Sequence, residues 1–566
     1  MNFPAAVNTE QLLTDPFLQR PTPESVTVVW FTEFAGQGHA VHFGDRLERI
    51  ALARSRPLTR LREDRDSKLP DPPEQPTFRP IWRHEAVVTG LSPDQALPYQ
   101  VHSQMDEGED IRSAVYQLAP TPAPGTPLKI LLTSDHQMMP RTAANLQKVG
   151  ETIDKIDGVF LAGDLVNIPD RASEWFDSPA GNSFFPCLQG RASYELTGAQ
   201  GQQTTYRGAP LIQNVPLFTA IGNHEVMGRF DMVRGLNAQF NDPIPQRVAV
   251  ERYGYQAKTV NPNDDPDIKA AWIKSQSFNT DTYEQLFSLP ESESGGQKYY
   301  ATTFGDVRLV VLYVTNVWRS PTLQADKVSR YREPDQVLDN PEQWSYGQHI
   351  FEPITPGSDQ YEWLVQELAS PEFQQARYKV VMFHHPPHTL GDNIVPPYTN
   401  PRGTTVLNPS GRAVAVRYEY PLADDYIHHH LEPLFNQAGV QLVYYGHSHL
   451  WNRFQNEAGV NFLESSNVGN TYGAFWGEKQ RPVPTGYHEN YVATGDPNGL
   501  KPIIPTEAPM LDEHNAPLPY LSSNEITAFS ILNTETGMVQ SYRFDSRDPS
   551  NPVELFDQFA IDGRKE

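Results

Sequence analysis

The stretch VQLVYYGHSH, Val440 to His449, is an apolar run of strand length that ends, with a single glycine between, on two imidazoles. Four other runs share this grammar. LKILLT leads into SDHQ (Ser134 to Gln137), DGVFLA into GDLVN (Gly163 to Asn167), VPLFTAI into GNHE (Gly222 to Glu225) and KVVMF into HHPPH (His384 to His388). Each run is β-branched, aliphatic or aromatic, as a buried strand requires, and each stops on carboxylate, carboxamide or imidazole. Open sheets place their ligand sites at that C-terminal edge. Five strand ends can therefore converge, and their oxygen and imidazole donors suit two cations bridged by one carboxylate.

Working outward, RTAANLQKVGETIDKI from Arg141 carries Ala144, Leu146, Val149, Ile153 and Ile156 at helical spacing between two of the runs. This is a βαβ unit, which implies a parallel core with right-handed crossovers. SDQYEWLVQELAS (Ser358 to Ser370) and DDYIHHHLEPLFNQAG, ending at Gly439, are two further helices that feed strands. YYATTF and VRLVVLYV around Gly305 and Asp306 read as a hairpin, and AFSILNTETGMVQSYRFD, from about Thr527, as a closing one. The polar, Pro-rich segments Val226 to Lys298, Asn316 to Gly357 and Gly391 to Leu422 read as insertions over the site mouth.

Before all this, from about residue 8 to 118, lie the short strands SVTVVWFTEF, HAVHFGD, RHEAVVTGL, YQVHSQ and SAVYQLA. They form a β-sandwich pattern. GLSPDQALPYQV, with Leu91, Pro93 and Tyr99, resembles the tyrosine-corner turn of fibronectin type III modules, and the Pro-rich PTPAPGTP (Pro120 to Pro127) follows as a stiff linker. The expected division is a fibronectin type III-like sandwich over 1–122 and an α/β unit over 123–566.

The 566 residues carry a net charge of −24 and no evident Lys/Arg cluster, so nucleic-acid binding is not expected. No apolar stretch approaches the roughly 20 residues of a membrane span. Cys187 is the single cysteine, which excludes an intrachain disulfide and any multi-cysteine metal site. MNFPAAVNTEQLLTD lacks the basic start and apolar stretch of a secretory signal. Cytoplasm is the default reading, with periplasm or secretion if a leader was removed.

The ordered set of D-x-x, GD, GNHE, H-x-P and GHSH resembles the calcineurin-like metallophosphoesterases, over about residues 128 to 470. The N-terminal sandwich, the FGDVRLVVL hairpin and the DQYEWLVQEL helix are similar, more narrowly, to purple acid phosphatases. The fold this implies is a sandwich of mixed sheets flanked by helices, classed α/β (α+β). The implied activity is hydrolysis of a small phosphorylated substrate, a phosphomonoester, by a metal-bound hydroxide at a dinuclear centre. A phosphodiesterase, acting on cyclic nucleotides or other diesters, is the alternative; a non-catalytic binding protein on the same fold is a third reading.

Carried over by position, the resemblance makes Asp164 the bridging carboxylate, places Asp135 and His449 on one metal, and Asn223, His384 and His447 on the other. His224 would face the substrate as donor or acid, with Glu225 fixing its tautomer. His385 is expected as support behind the ligands or at the substrate, and His388 either near substrate oxygens or as a loop histidine. Two departures stand out. Purple acid phosphatases carry a tyrosinate three residues after the bridging Asp, where this chain has Asn167. Asn167 stands at that ligand position, the charge-transfer band of that family should be absent, and a pair drawn from Fe, Mn or Zn, divalent or of mixed valence, is the expectation. The related D-x-H pattern has Gln137 at its third place here, so Gln137 is either an amide-oxygen ligand or a supporting contact, with His136 the lesser candidate. His428 to His430 read as a solvated helix face, Cys187 as a small buried hydrophobe, and Tyr472, Phe475 and Trp476 as packing beneath the sheet, with the lining of a substrate cleft as the alternative.

Overall fold

The computed structural model describes residues 12–93, 95–105, 110–319, 324, 326–394, 397–476, 501–502, 510–511, 514–515 and 517–561. Its N-terminal part is two facing sheets. One orders Phe17–Thr22, Ser25–Thr32, Trp82–Thr89 and Arg54–Pro57; the other orders Asp110–Arg112, Leu97–Gln104, Gly38–Phe43 and Arg49–Leu52. Strand alternation builds the core between them: Leu97, Tyr99, Val101 and Ser103 point inward from one sheet, against Val26, Val28 and Trp30 of the other. The Trp30 indole donates to the Ser103 hydroxyl at 2.9 Å, which satisfies a buried N–H.

The expected tyrosine corner is not what Tyr99 makes. Its hydroxyl donates to the Gln213 carbonyl at 2.7 Å, 114 residues along the chain, and so ties the sandwich to the following unit. A second tie is the fully buried pair of Arg62 with Asp170 at 2.5 Å.

Beyond the linker, two mixed sheets pack face to face. The first orders Leu217–Thr219, Gly158–Leu161, Lys129–Thr133, Ile526–Asn533, Met538–Asp545 and Glu554–Ala560; its first three strands are parallel and the closing C-terminal strands antiparallel. The second contains Tyr300–Phe304, Val307–Val311, Tyr378–Met382, Leu442–Tyr445, Asn461–Ser465 and Trp451–Gln455 in that order, with the middle four parallel. Its alternation explains the layers. Leu309, Val380, Met382, Leu442 and Tyr444 face the first sheet, while Val310, Val381, Val443 and Tyr445 face the helices Asp359–Leu368 and Glu432–Ala438. The helix Thr142–Thr152 buries Ala143, Ala144, Leu146 and Val149 in the same core as the first sheet. This is the expected sandwich of mixed sheets flanked by helices.

The 226–298 insertion is more ordered than its polar composition suggested, with helices Leu236–Phe240, Gln246–Val260, Pro266–Ser275 and Asp281–Leu286. The 391–422 insertion holds a hairpin whose first strand, Arg402–Leu407, is exposed and whose second, Ala413–Glu419, buries Val416 and Tyr418. His428 to His430 lie in a π-helical turn, Ile427–Leu431, outside the strand-end cluster, with His428 bonded to Glu432 at 2.8 Å. Among the described residues no helix is long and apolar enough to cross a membrane.

Candidate metal centre

The strands ending at Thr133, Leu161, Thr219, Met382 and Tyr445 bring Asp135, Asp164, Asn223, His384 and His447 to one place, with His449 beside them. The chain bends sharply there. Among the described residues eleven non-glycine positions have left-handed φ, and six belong to these turns: Asp135, Gln137, Met138, Asp164, His447 and His449. Such backbone strain is held only where surrounding structure over-determines it, and it concentrates at functional sites. The motif glycines have a steric reason. A Cβ on Gly222 would strike the Asp164 carboxylate, and one on Gly446 would strike Ser134 and the Asp135 carboxylate.

Asp164, His384 and His447 place one donor atom each within 4.8 Å of one another, and so do Asp135, Asp164 and His449. Asp164 is common to both groups. Its carboxylate accepts from the His224 main-chain N–H at 2.9 Å and from the Gln137 amide at 2.9 Å, and lies 3.1 Å from His384 Nε2. Three imidazoles are oriented in one way. The Nδ1–H groups of His384, His449 and His224 donate to the main-chain carbonyls of Ala162 (2.8 Å), Asn470 (2.8 Å) and Asn167 (2.7 Å). Each Nε2 is thereby left for the site, the arrangement that metal-ligating histidines use. His447 Nε2 and Gln137 Oε1 are buried acceptors without a hydrogen-bond partner among the described residues. The donor set fits two hard or borderline cations.

Charge tells the same story. Burial opposes ionisation of Asp164, but the His384 and His224 rings outweigh it and hold the carboxyl below its usual range. Burial likewise opposes charge on His384, yet the Asp164 and Asp135 carboxylates raise it to about 10. Burial and the neighbouring imidazoles keep His447 well below its ordinary value, so it presents a neutral ring.

Glu225 does not touch the His224 ring. It closes the Asn223–Glu225 turn, accepting from the main-chain N–H of Gly222 (2.7 Å), Asp164 (2.8 Å) and Leu165 (2.7 Å). The carbonyl of Asn167 sets the His224 tautomer instead, and the expected Glu225 role is corrected to that of a brace across two motifs. The Asn167 side chain donates to the Gln137 carbonyl at 2.7 Å and joins the two loops. His385 is buried beside His447, ring centroids 4.1 Å apart, and burial pushes it well below its ordinary value.

His388 is not among the described residues that line the cavity before Asp164. It is fully buried, 3.1 Å from the Asn452 carboxamide and 3.8 Å from Glu464. His136 turns away to the Thr133 hydroxyl at 2.9 Å, with burial lowering it to about 3. Tyr472 follows the cleft-lining alternative and not packing beneath the sheet: it is 53% exposed, lines the cavity and stacks on His449, centroids 5.2 Å apart. Cys187 is buried as expected.

Residues the motifs did not reveal complete the site. Glu464 lies beneath GHSH and accepts from the Ser448 main-chain N–H at 2.9 Å and from the Ser448, Ser466 and Asn452 side chains. The Asn393 amide holds the His447 carbonyl. Phe240 and Trp318, on the first two insertions, line a cavity of about 240 Å³ with Asp164, His224 and His449. None of these four carries a signal in the sequence, because each lies apart from the strand-end motifs and reaches the site only through the fold.

A family model described as calcineurin-like phosphoesterase matches residues 128–450, more than half of the chain. The chain belongs to the calcineurin-like phosphoesterase family. It is a metal-dependent phosphoesterase, a hydrolase acting on phosphoric esters, and the two donor groups around Asp164 are candidates for its divalent ions. In fold this phosphoesterase is similar to purple acid phosphatase PPD1 isolated from yellow lupin (Lupinus luteus) seeds: TM-score 0.53 and 15% identity, covering 99% of this chain and 78% of that one. GAP50, the anchor in the inner membrane complex of Plasmodium, gives a TM-score of 0.31 at 9% identity, over 76% of this chain and 89% of that one, and carries no argument. No curated protein sequence matches.

Proposed function

We propose that this phosphoesterase hydrolyses phosphomonoesters of small molecules at a centre of two cations, a pair drawn from Mn, Fe and Zn. The observation that carries the reading is the position of Asp164, common to both groups of donors. Asp135 and His449 would complete one coordination set; Asn223, His384 and His447 the other. When bound, such a pair polarises the phosphoryl oxygens and lowers the pKa of water toward ~7. Gln137 and Asn167 support the reading as braces, Gln137 against the Asp164 carboxylate and Asn167 against the Gln137 loop. With Asn167 in place of a tyrosine, the position three residues after Asp164 supplies no tyrosinate.

His224 carries the proton chemistry. Its Nδ1–H is held by the Asn167 carbonyl, and its Nε2 lies 4.0 Å from Asp164 Oδ2 on the cavity wall. Protonated there, it donates to the leaving oxygen. Residues 1–122 stand as a fibronectin type III-like module and 123–566 as the catalytic unit, with Phe17, Val29 and Phe31 of the first packed into the core of the second.

The test compares nitrophenyl monophosphate with bis-nitrophenyl phosphate on metal-loaded protein. Higher kcat/KM on the monoester is expected; turnover of the bis-ester alone would reassign the chain as a phosphodiesterase.

A further inference from the structure

The cavity of about 240 Å³ before Asp164 falls below the roughly 300–1,000 Å³ of pockets that enclose drug-sized ligands. It admits a phosphoryl group and part of a compact leaving group, and the remainder must lie across the mouth. Rings form that mouth. Tyr472 is 53% and Trp318 36% exposed, and the two are near-parallel, with centroids 6.2 Å apart and planes 27° apart. The other face of the arrangement is fixed, because Tyr472 stacks on His449 at 25° and so has a defined position relative to the proposed metal ligands. The described residues lining the cavity include the carboxamides of Asn167, Asn241 and Asn393 and no lysine or arginine. The leaving group is therefore met by π-faces and by carboxamides, while the one guanidinium nearby among the described lining residues, Arg319, faces the adjoining cavity that shares Asn223, Phe240, Asn241 and Trp318.

We infer that Trp318 and Tyr472 form a stacking platform for a planar heteroaromatic leaving group, which makes nucleoside monophosphates the substrate class. The carboxamides suit the edges of a base: Asn167, Asn241 and Asn393 each give one amide hydrogen to a main-chain carbonyl and keep a second N–H and the side-chain oxygen for a ligand. This rests on the phosphoesterase reading of the same site and names what that site selects. Trp318 sits on the 316–357 insertion and Tyr472 on the loop after the last motif, so selection is set outside the strand-end motifs.

Adenosine 5′-monophosphate and ribose 5-phosphate share their leaving alkoxide and differ in the base, so the ratio of their kcat/KM values isolates the platform. The metal-loaded enzyme is expected to favour the nucleotide on the order of tenfold or more, the size of base-on-aromatic stacking. Trp318→Ala and Tyr472→Ala should each bring the ratio toward one, and Trp318→Phe should keep most of it. The ratio is taken within each variant, so changes in overall activity cancel. A wild-type ratio near one, with both compounds hydrolysed, overturns the platform and leaves the phosphomonoesterase reading standing. If neither is hydrolysed, that reading is what fails, and the same ratio measured on the methyl diesters of the two compounds decides the platform by the same criterion.

Discussion

The imidazole Nδ1–H of His224 donates to the main-chain carbonyl of Asn167 at 2.7 Å. A carbonyl only accepts, so the proton on Nδ1 is fixed and Nε2 is the nitrogen that gains and loses one. A ring held in this way can protonate a leaving alkoxide, and it is held by backbone that no side-chain substitution removes.

His224→Ala should therefore slow hydrolysis by about 10²–10⁴-fold for esters with poor leaving groups and much less for nitrophenyl esters, whose oxygen leaves unprotonated. Metal content should be unchanged. Equal losses across a series of leaving groups would contradict acid catalysis.

Asp164→Asn keeps the size of the side chain and an acceptor for the His224 N–H but removes the shared anionic charge. Turnover should fall on the order of 10³-fold or more, and elemental analysis should find both cations depleted. Retention of two metals by the variant would refute the bridging role.

Glu464 concerns support beneath the metal ligands. Burial pushes it up to about 8 against the hydrogen bonds of Ser448 and Ser466. Glu464→Ala leaves several buried donors unpaired, at about 1–3 kcal/mol each, and frees the turn that carries His447 and His449. Expected are a lower melting temperature and metal affinity weakened about 10–100-fold, the second read by titration of Mn or Zn into metal-free protein. Lost stability with unchanged affinity would limit Glu464 to packing.

The sandwich domain carries its own pH dependence. His39 and His84 are buried and stacked, centroids 3.7 Å apart, and His84 is held between the Thr32 and Ser55 hydroxyls at 2.8 Å each. Burial, then His39 and Arg83, lower His84 to about 3. Folded His84 is neutral while the unfolded ring takes up a proton below about 6.5. Its contribution is thus present above that pH and is lost as pH falls toward 3, by at most about 1.4 kcal/mol per unit. Urea unfolding from neutral pH to pH ~5 should show a steeper loss in wild type than in His84→Gln; parallel curves would contradict the assignment.

The strand ends were legible because an apolar run and the donor that follows it are contiguous, so Asp135, Asp164, Asn223, His384, His447 and His449 could be read in order and the structure brings them together. Side-chain direction was not legible. Glu225 sits in a 3-10 turn that aims it back at the Asp164 and Gly222 amides, and His388 follows two prolines that carry it beneath the sheet. Long-range partners were equally hidden: nothing near Tyr99 in sequence points to Gln213, and nothing in the spacing of Trp318 and Tyr472 shows that their rings meet. Composition misled over the 226–298 insertion, where helices are built from a polar sequence.

The most direct measurement is the anomalous scattering of cations in crystals grown with Mn²⁺ or Zn²⁺. The expected result is two peaks about 3.5–4 Å apart, both touching the Asp164 carboxylate, one beside Asp135 and His449 and the other beside Asn223, His384 and His447. A single peak, or two that do not share Asp164, would contradict the account.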